Sequence, residues 1–215
     1  MQLLDFYKNV LHLTDEALID EVIRATEIKV LKRGDFLIRA GQLPTHACFL
    51  MKGIIRGTML DCNGRDITDC IAYRCGSTVM PDNDYTQPAS IALEALTDCE
   101  IICISLDVVN SLLERYPSVT KLYCQYLLIS ANLHRKLKIV NYQYTAAQRY
   151  EWFLREYPGL IDQVSHKYIA SLLNMTPVTL SKIRKVLKDG GNRDSAPETP
   201  ATPATTPDLL RVPSE

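Results

Sequence analysis

The 215-residue sequence predicts an α+β chain: an antiparallel β-roll comes first, one long helix follows, and a pair of short helices closes the ordered part. Three observations carry this reading. Between Ile28 and Ser105, short β-branched runs are punctuated by Gly34, Gly41, Gly53, Gly64 and Gly76, the pattern of many short strands joined by turns. From Val119 to Val140 the apolar residues recur every three or four positions instead of every two. Near the C-terminal end "SHKYIASLL" and "TPVTLSKIRKVLK" are separated only by "NM", which is the spacing of two helices joined by a tight turn.

Each element has a local cause. Thr14 is expected to cap a first helix whose Leu18, Val22 and Ile23 share one face. The runs "IKVLK", "DFLIRA", "ACFLMKG", "IIRGTML", "DITDCIAY" and "SIALEAL" read as strands, with "DCEIICIS" closing the set. Asn63-Gly64 in "DCNGRD" marks a hairpin, because both residues tolerate the positive φ of a tight turn. Beyond "RYP" at 115–117 the pattern turns helical. Leu122, Tyr126, Ile129, Leu133, Leu137 and Val140 draw a narrow apolar stripe that is expected to be the seam of a homodimer, since it outlasts what one small domain covers. "AAQRYEWFLREYPGL" is a further helix carrying Tyr150, Phe153 and Leu154.

In the closing pair, Ser165 is expected to cap the first helix, and Ala170 is small enough for close approach. Thr176 can cap the second, and Pro177 fits the first helical position, where no N–H is needed. At about 100° per residue, Leu180, Ile183 and Leu187 fall on one side and Val178, Ser181, Lys182 and Lys185 on the other. From Ser165 to Lys188 there is no acidic residue, while Lys167, Lys182, Arg184, Lys185 and Lys188 are all cationic. The net charge of −1 gives no attraction of the whole chain for nucleic acid, so this local patch is where such affinity would reside. After it, five prolines in "GGNRDSAPETPATPATTPDLLRVPSE" predict a disordered tail.

With 47% hydrophobic and 23% charged residues the chain is globular by composition. No apolar run approaches the roughly 18 residues of a membrane span, and "MQLLDFYKNV" carries Asp5 early and lacks a signal-peptide layout, so no membrane partner and a cytoplasmic location are expected. Seven cysteines, at 48, 62, 70, 75, 99, 103 and 124, show no CxxC spacing, and most are expected to be reduced, buried packing residues. No nucleophile-base pair, metal-ligand spacing or phosphate loop appears, so an enzyme is not expected.

The order of parts, over about residues 10 to 189, resembles the cyclic-AMP receptor/fumarate-nitrate regulator (Crp/Fnr) family of bacterial transcription factors. The carriers are "LKRGDFLIRAGQ" and "KGIIRGTMLDCNGRDI", which look like the family's β-roll, and "SHKYIASLLNMTPVTLSKIRKVL", which looks like its DNA-reading helices. The resemblance implies a cyclic-nucleotide-binding-like jelly roll with the N-terminal helix over 1–110 as effector sensor, a dimerisation helix over 111–140 and a helix-turn-helix DNA-binding domain over 141–189. The tail occupies 190–215. It also implies a homodimer on double-stranded DNA, with RNA polymerase and a small-molecule effector as further partners. Pro177, Val178, Ser181 and Lys182 would face base edges, and Lys167, Thr176 and Lys185 phosphates.

Several departures alter what the resemblance implies. Many relatives carry a glutamate where Val178 stands, and many have a β-hairpin wing after the second helix. Cyclic-nucleotide binders of the family hold the phosphate with an arginine before a small hydroxyl residue and the ribose with a glutamate after a glycine. Here Ala89 precedes Ser90 and Ser77 follows Gly76, so cyclic AMP is not the expected effector. An effector is expected near Gly76, Ser77, Ala89 and Ser90, facing the long helix at His134 and Arg135. Haem and iron-sulfur cofactors are not expected, because the first cysteine, Cys48, lies inside a strand, and the histidines at 12, 46, 134 and 166 are isolated. The competing reading keeps the roll as a ligand-sensing or scaffold module whose C-terminal helices bind protein.

Overall fold

The computed structural model describes residues 1–189, so the expected disordered tail at 190–215 lies outside the described residues. The chain begins with a short helix α1 (Leu3–Asp5) that widens into a further helical turn over Phe6–Val10, then α2 (Glu16–Arg24). Seven strands follow: β1 (Thr26–Leu31), β2 (Phe36–Ile38), β3 (His46–Lys52), β4 (Ile55–Leu60), β5 (Asp66–Ala72), β6 (Ala92–Ala95) and β7 (Cys99–Ser105). They form two antiparallel sheets, ordered β1-β7-β3 and β2-β6-β4-β5. The helices α3 (Leu106–Arg115), α4 (Pro117–Gln143), α5 (Ala146–Glu156), α6 (His166–Leu172) and α7 (Pro177–Asp189) complete the described chain.

The two-residue period of the strands divides the core. On β3 and β7, Cys48, Leu50, Ile101 and Cys103 turn inward and pack between the sheets with Ile55, Leu93 and Ala95. The alternate residues Phe49, Met51, Ile102 and Ile104 face outward and are covered by Phe6, Tyr7, Leu18, Ile19 and Leu112 from the helices. A strand buried on both faces reads as a continuous apolar run, as Ile101–Ile104 at the centre of "CEIICIS" does. The β4–β5 hairpin turns where expected: Gly64 has φ +75, and the Asp61 carboxylate accepts from the backbone N–H of Asn63 and Arg65, each at 2.9 Å.

A third core joins the far end of α4 to the C-terminal helices. Leu137 and Val140 pack with Trp152, Phe153, Ile169, Leu173 and Leu180, and Ile54, Ile71 and Leu96 of the roll belong to the same cluster. In α5 it is Trp152 that is buried beside Tyr150 and Phe153, while Leu154 is exposed. Thr145 and Gln148 cap this helix reciprocally.

Four expectations need correction. Asp15, not Thr14, caps α2, its carboxylate accepting from Leu18 N–H at 3.1 Å. Ser165 stands at the N-cap of α6 but makes no capping bond. A separate helix, α3, precedes "RYP"; Ser105 caps it through Val108 N–H, and α4 starts anew at Pro117. Finally, only Cys48, Cys99 and Cys103 of the seven free cysteines are buried; Cys62, Cys75 and Cys124 are exposed.

Candidate nucleic-acid interface and sensor cavity

The turn Leu173–Thr176 joins α6 to α7, and Asn174 takes a positive φ of 48 within it. Thr176 caps α7 as expected, its Oγ1 accepting from Thr179 N–H at 3.0 Å. Leu180 is fully buried against α5 and α6, so the helix can turn only one way. That orientation exposes Thr176, Pro177, Val178, Ser181, Lys182 and Lys185 along one stripe, with Val178 64% accessible. Leu187, expected on the inner side, is exposed. Arg184 is turned away from the stripe, its guanidinium 2.6 Å from His166 Nε2 on α6. No strand follows α5 among the described residues.

Lys167 is also exposed, but it sits at a junction that the sequence did not reveal. Arg56 on β4 is almost wholly buried. Its guanidinium donates to both oxygens of Asp66 at 3.0 Å each, to Glu94 at 2.5 and 3.1 Å, and to Thr68 Oγ1 at 3.2 Å. Burial raises the Asp66 carboxyl pKa, but the hydrogen bonds from Arg56 and Thr58 outweigh it and hold the group below its usual range. The Tyr168 ring of α6 lies over the guanidinium at 3.9 Å, with the Lys167 ammonium 4.6 Å from the same ring. Ser171 Oγ accepts from Thr68 N–H on edge strand β5 at 2.8 Å. The first helix of the pair is thus docked on the roll, and Tyr73 Oη donates to the Glu156 carbonyl at the neighbouring corner.

The expected effector residues do not converge. Gly76 is buried with φ +85, and a Cβ there would stand 2.5 Å from Val10. Its carbonyl accepts from Tyr126 Oη of α4 at 3.0 Å. Ser77 pairs through its backbone with Leu50, and Ala89 with Gln42 and Gly41. Ser90 is engaged by the Asp82 carboxylate, which accepts from its N–H at 2.8 Å and its hydroxyl at 2.6 Å. The groups that would hold an anion therefore already hold a carboxylate of the same chain. His134 and Arg135 lie exposed on α4, and none of the six residues lines either cavity described next.

One cavity, of about 130 Å³, opens between the outer face of β3 and β7, the N-terminal turn and the start of α4, with Leu13, Ala47, Phe49, Val119, Leu122 and Tyr126 among its walls. It is close in size to engineered apolar cavities of roughly 150 Å³ that take up a single aromatic ring. Tyr7, Tyr85 and Tyr126 turn hydrophobic bodies toward it, while their hydroxyls are bonded elsewhere, to Thr26, Asn110 and Gly76. A second cavity, of about 530 Å³, lies at the mouth of the roll and is lined by Lys29, His46, Cys48, Met80 and Cys103, among others.

The residues expected to form a dimer seam are largely covered by the chain itself. Leu137 and Val140 are buried by the chain's own C-terminal helices, Leu133 packs on the same cluster, and Leu122 and Tyr126 pack on the roll. Ile129 is half-buried. The uncovered face of α4 instead carries Cys124, Leu128, Ala131, Arg135, Lys138 and Tyr142, spaced by four and three in turn, with Leu128 63% and Tyr142 81% accessible. No helix of the described residues is long and apolar enough to cross a membrane.

Against this geometry, residues 28–116 match the cyclic nucleotide-binding domain family model. No curated protein sequence matches the chain. Among solved structures, FixK2 from Bradyrhizobium japonicum aligns with 80% of this chain and 89% of its own at 14% identity and a TM-score of 0.71. The c-di-GMP responsive global regulator CLP of Xanthomonas campestris aligns over 82% and 93%, at 14% identity and a TM-score of 0.68. A transcriptional regulator assigned to the Crp/Fnr family, from Eubacterium rectale, aligns over 86% and 88%, at 14% identity and a TM-score of 0.67. Residues 28–116 thus match a cyclic nucleotide-binding domain, and the described chain shares the fold of these three regulators.

Proposed function

We propose that this chain is a homodimeric, sequence-specific DNA-binding transcriptional regulator of the Crp/Fnr type, cytoplasmic and without catalytic activity, controlled by an effector other than cyclic AMP. The observation that carries the reading is the capped α7, free of acidic residues from Pro177 to Lys188, with Val178, Ser181, Lys182 and Lys185 exposed on one stripe. Small and cationic side chains at the start of such a helix suit the major groove: Lys182 donates to guanine, Ser181 donates or accepts, and Val178 packs on a thymine methyl. Lys167, Thr176 and Lys185 reach phosphates, and RNA polymerase is the partner at a promoter.

On the sensor side, Asp82 occupies the hydrogen-bonding groups of Ser90, and a second anion there would meet its charge rather than a donor. The apolar cavity beneath α4 suits a small neutral effector instead. It touches Leu122 and Tyr126, so occupancy would bias the placement of α4 and, at its far end, of the DNA-binding domain.

Titrating the protein with a cognate duplex between 50 and 200 mM salt tests the DNA assignment. With Lys167 and Lys185 of two protomers on phosphates, log K should fall with log salt at a slope of about −4. A salt-independent affinity, or none at low salt, would favour C-terminal helices that bind protein.

A further inference from the structure

Cys48 on β3 and Cys103 on β7 face each other across an antiparallel pair, 55 residues apart in sequence, with their Sγ atoms 3.3 Å apart. Directly opposed residues in such a pair have Cα atoms about 4.5–5.5 Å apart, inside the range a disulfide spans. Closing the sulfurs to bonding distance takes side-chain rotation and a small approach of the two strands, since directly opposed Cβ atoms lie about 4.5–5.5 Å apart and a disulfide spans about 3.5–4.5 Å. Both side chains are nearly buried among the core residues of the roll, yet both line the larger cavity at its mouth, beside Lys29 and His46. At about 530 Å³ that cavity admits a peroxide molecule many times over, since one water occupies roughly 30 Å³ of liquid.

We propose that Cys48 and Cys103 form an oxidant-responsive dithiol that converts to a cross-strand disulfide when hydrogen peroxide enters the roll. The pair is asymmetric. The Cys48 thiol donates to Cys103 sulfur, and this hydrogen bond, helped by the Lys29 charge, lowers the Cys103 pKa against the cost of burial and favours its thiolate. Cys48 is shifted the other way and keeps its proton. Cys103 thiolate attacks one peroxide oxygen; the O–O bond breaks, hydroxide leaves and takes up a proton as water, and Cys103 becomes a sulfenic acid. Cys48 sulfur then attacks the sulfenic sulfur, the S–S bond forms, the S–O bond breaks, and a second water departs with the Cys48 proton. Two thiols lose two electrons in total, and one peroxide becomes two waters.

The remaining cysteines serve as internal references, because Cys62, Cys75 and Cys124 are exposed and the structure places none of them in such a pair. The 215-residue chain, freed of reductant, is treated with one equivalent of peroxide, alkylated under denaturing conditions, digested and analysed by mass spectrometry. A Cys48-to-Cys103 cross-linked peptide, two hydrogens lighter than its reduced parts and released by dithiothreitol, is expected before Cys62 is oxidised. With Cys48→Ser the link is lost, and Cys103 is trapped by dimedone as sulfenic acid. Full alkylation of Cys48 and Cys103 after peroxide has consumed the exposed thiols would overturn the proposal, as would cross-links of either residue to a different cysteine. The wild-type peptide map decides between these outcomes without any variant, and no DNA enters the experiment, so its result is independent of the regulatory reading.

Discussion

Removing the Tyr168 ring should loosen the docking of α6 on the roll while leaving the roll intact. In Tyr168→Ala the guanidinium of buried Arg56 loses the aromatic face at 3.9 Å, a contact worth about 1–2 kcal/mol when desolvated. Losing the half-buried body of the ring adds about 1 kcal/mol. Arg56 itself keeps Asp66 and Glu94, so no uncompensated charge is created and the sheet has no reason to open. A total of about 2–3 kcal/mol corresponds to a roughly 30- to 150-fold rise in local opening. The reporter is the Thr68 amide on edge strand β5, whose partner is Ser171 Oγ across the junction. Amide exchange at Thr68 should accelerate by that factor, and exchange at Leu50, bonded to Ser77 within the roll, should stay unchanged. Unaltered exchange at Thr68, or equal acceleration at Leu50, would refute a discrete dock.

Lys182→Ala should weaken binding of a cognate duplex by roughly tenfold per half-site and relax base preference where it contacts guanine, whereas Lys185→Ala should weaken all sequences alike; competition against single-base variants separates the two. Leu128→Asp, on the uncovered face of α4, should give monomers by sedimentation without loss of helix, while Leu133→Asp should unfold the C-terminal core instead; the reverse pattern would favour a seam along Leu122, Ile129 and Leu133. Burial pushes the Tyr7 and Tyr126 phenols up to about 12, against about 10 in an unfolded chain. Their contribution is therefore complete below pH 10 and is lost as pH rises toward 12, because the unfolded chain releases those protons first. Urea midpoints should fall across pH 10 to 12, and less steeply in Tyr126→Phe; a flat profile contradicts this.

Most strands were legible because short β-branched runs stopped near a glycine or hairpin signal, and β7 because its apolar residues run together. The cap of α7 was legible because Thr176 and Pro177 act on their own turn. What escaped was non-local. An arginine in the middle of "IIRGTML" looks like a solvent-facing strand residue until Asp66 and Glu94 arrive beside it from neighbouring strands. The facing of Cys48 and Cys103 depends on the register of β3 on β7, not on any spacing between them. For α4 the apolar period is real, but a period does not say whose surface covers it. Leu137 and Val140 found theirs in α5, α6 and α7 of the same chain. The expected effector residues do not converge for a related reason: a single acidic side chain, Asp82, folds back on Ser90 and takes its donors. The helix over Leu106–Arg115 has local signals in its Ser105 cap and its Leu106, Val109, Leu112 and Leu113 spacing, but it follows β7 with no turn between them to separate it from the strand.

Selection from a pool of random duplexes at low salt tests the central claim most directly. If two copies of α7 read DNA together, the enriched sequences should form an inverted repeat whose half-sites are centred about 10 base pairs, one helical turn, apart. Recovery of no enriched sequence, with cell extract present to supply an effector and without it, would contradict the account.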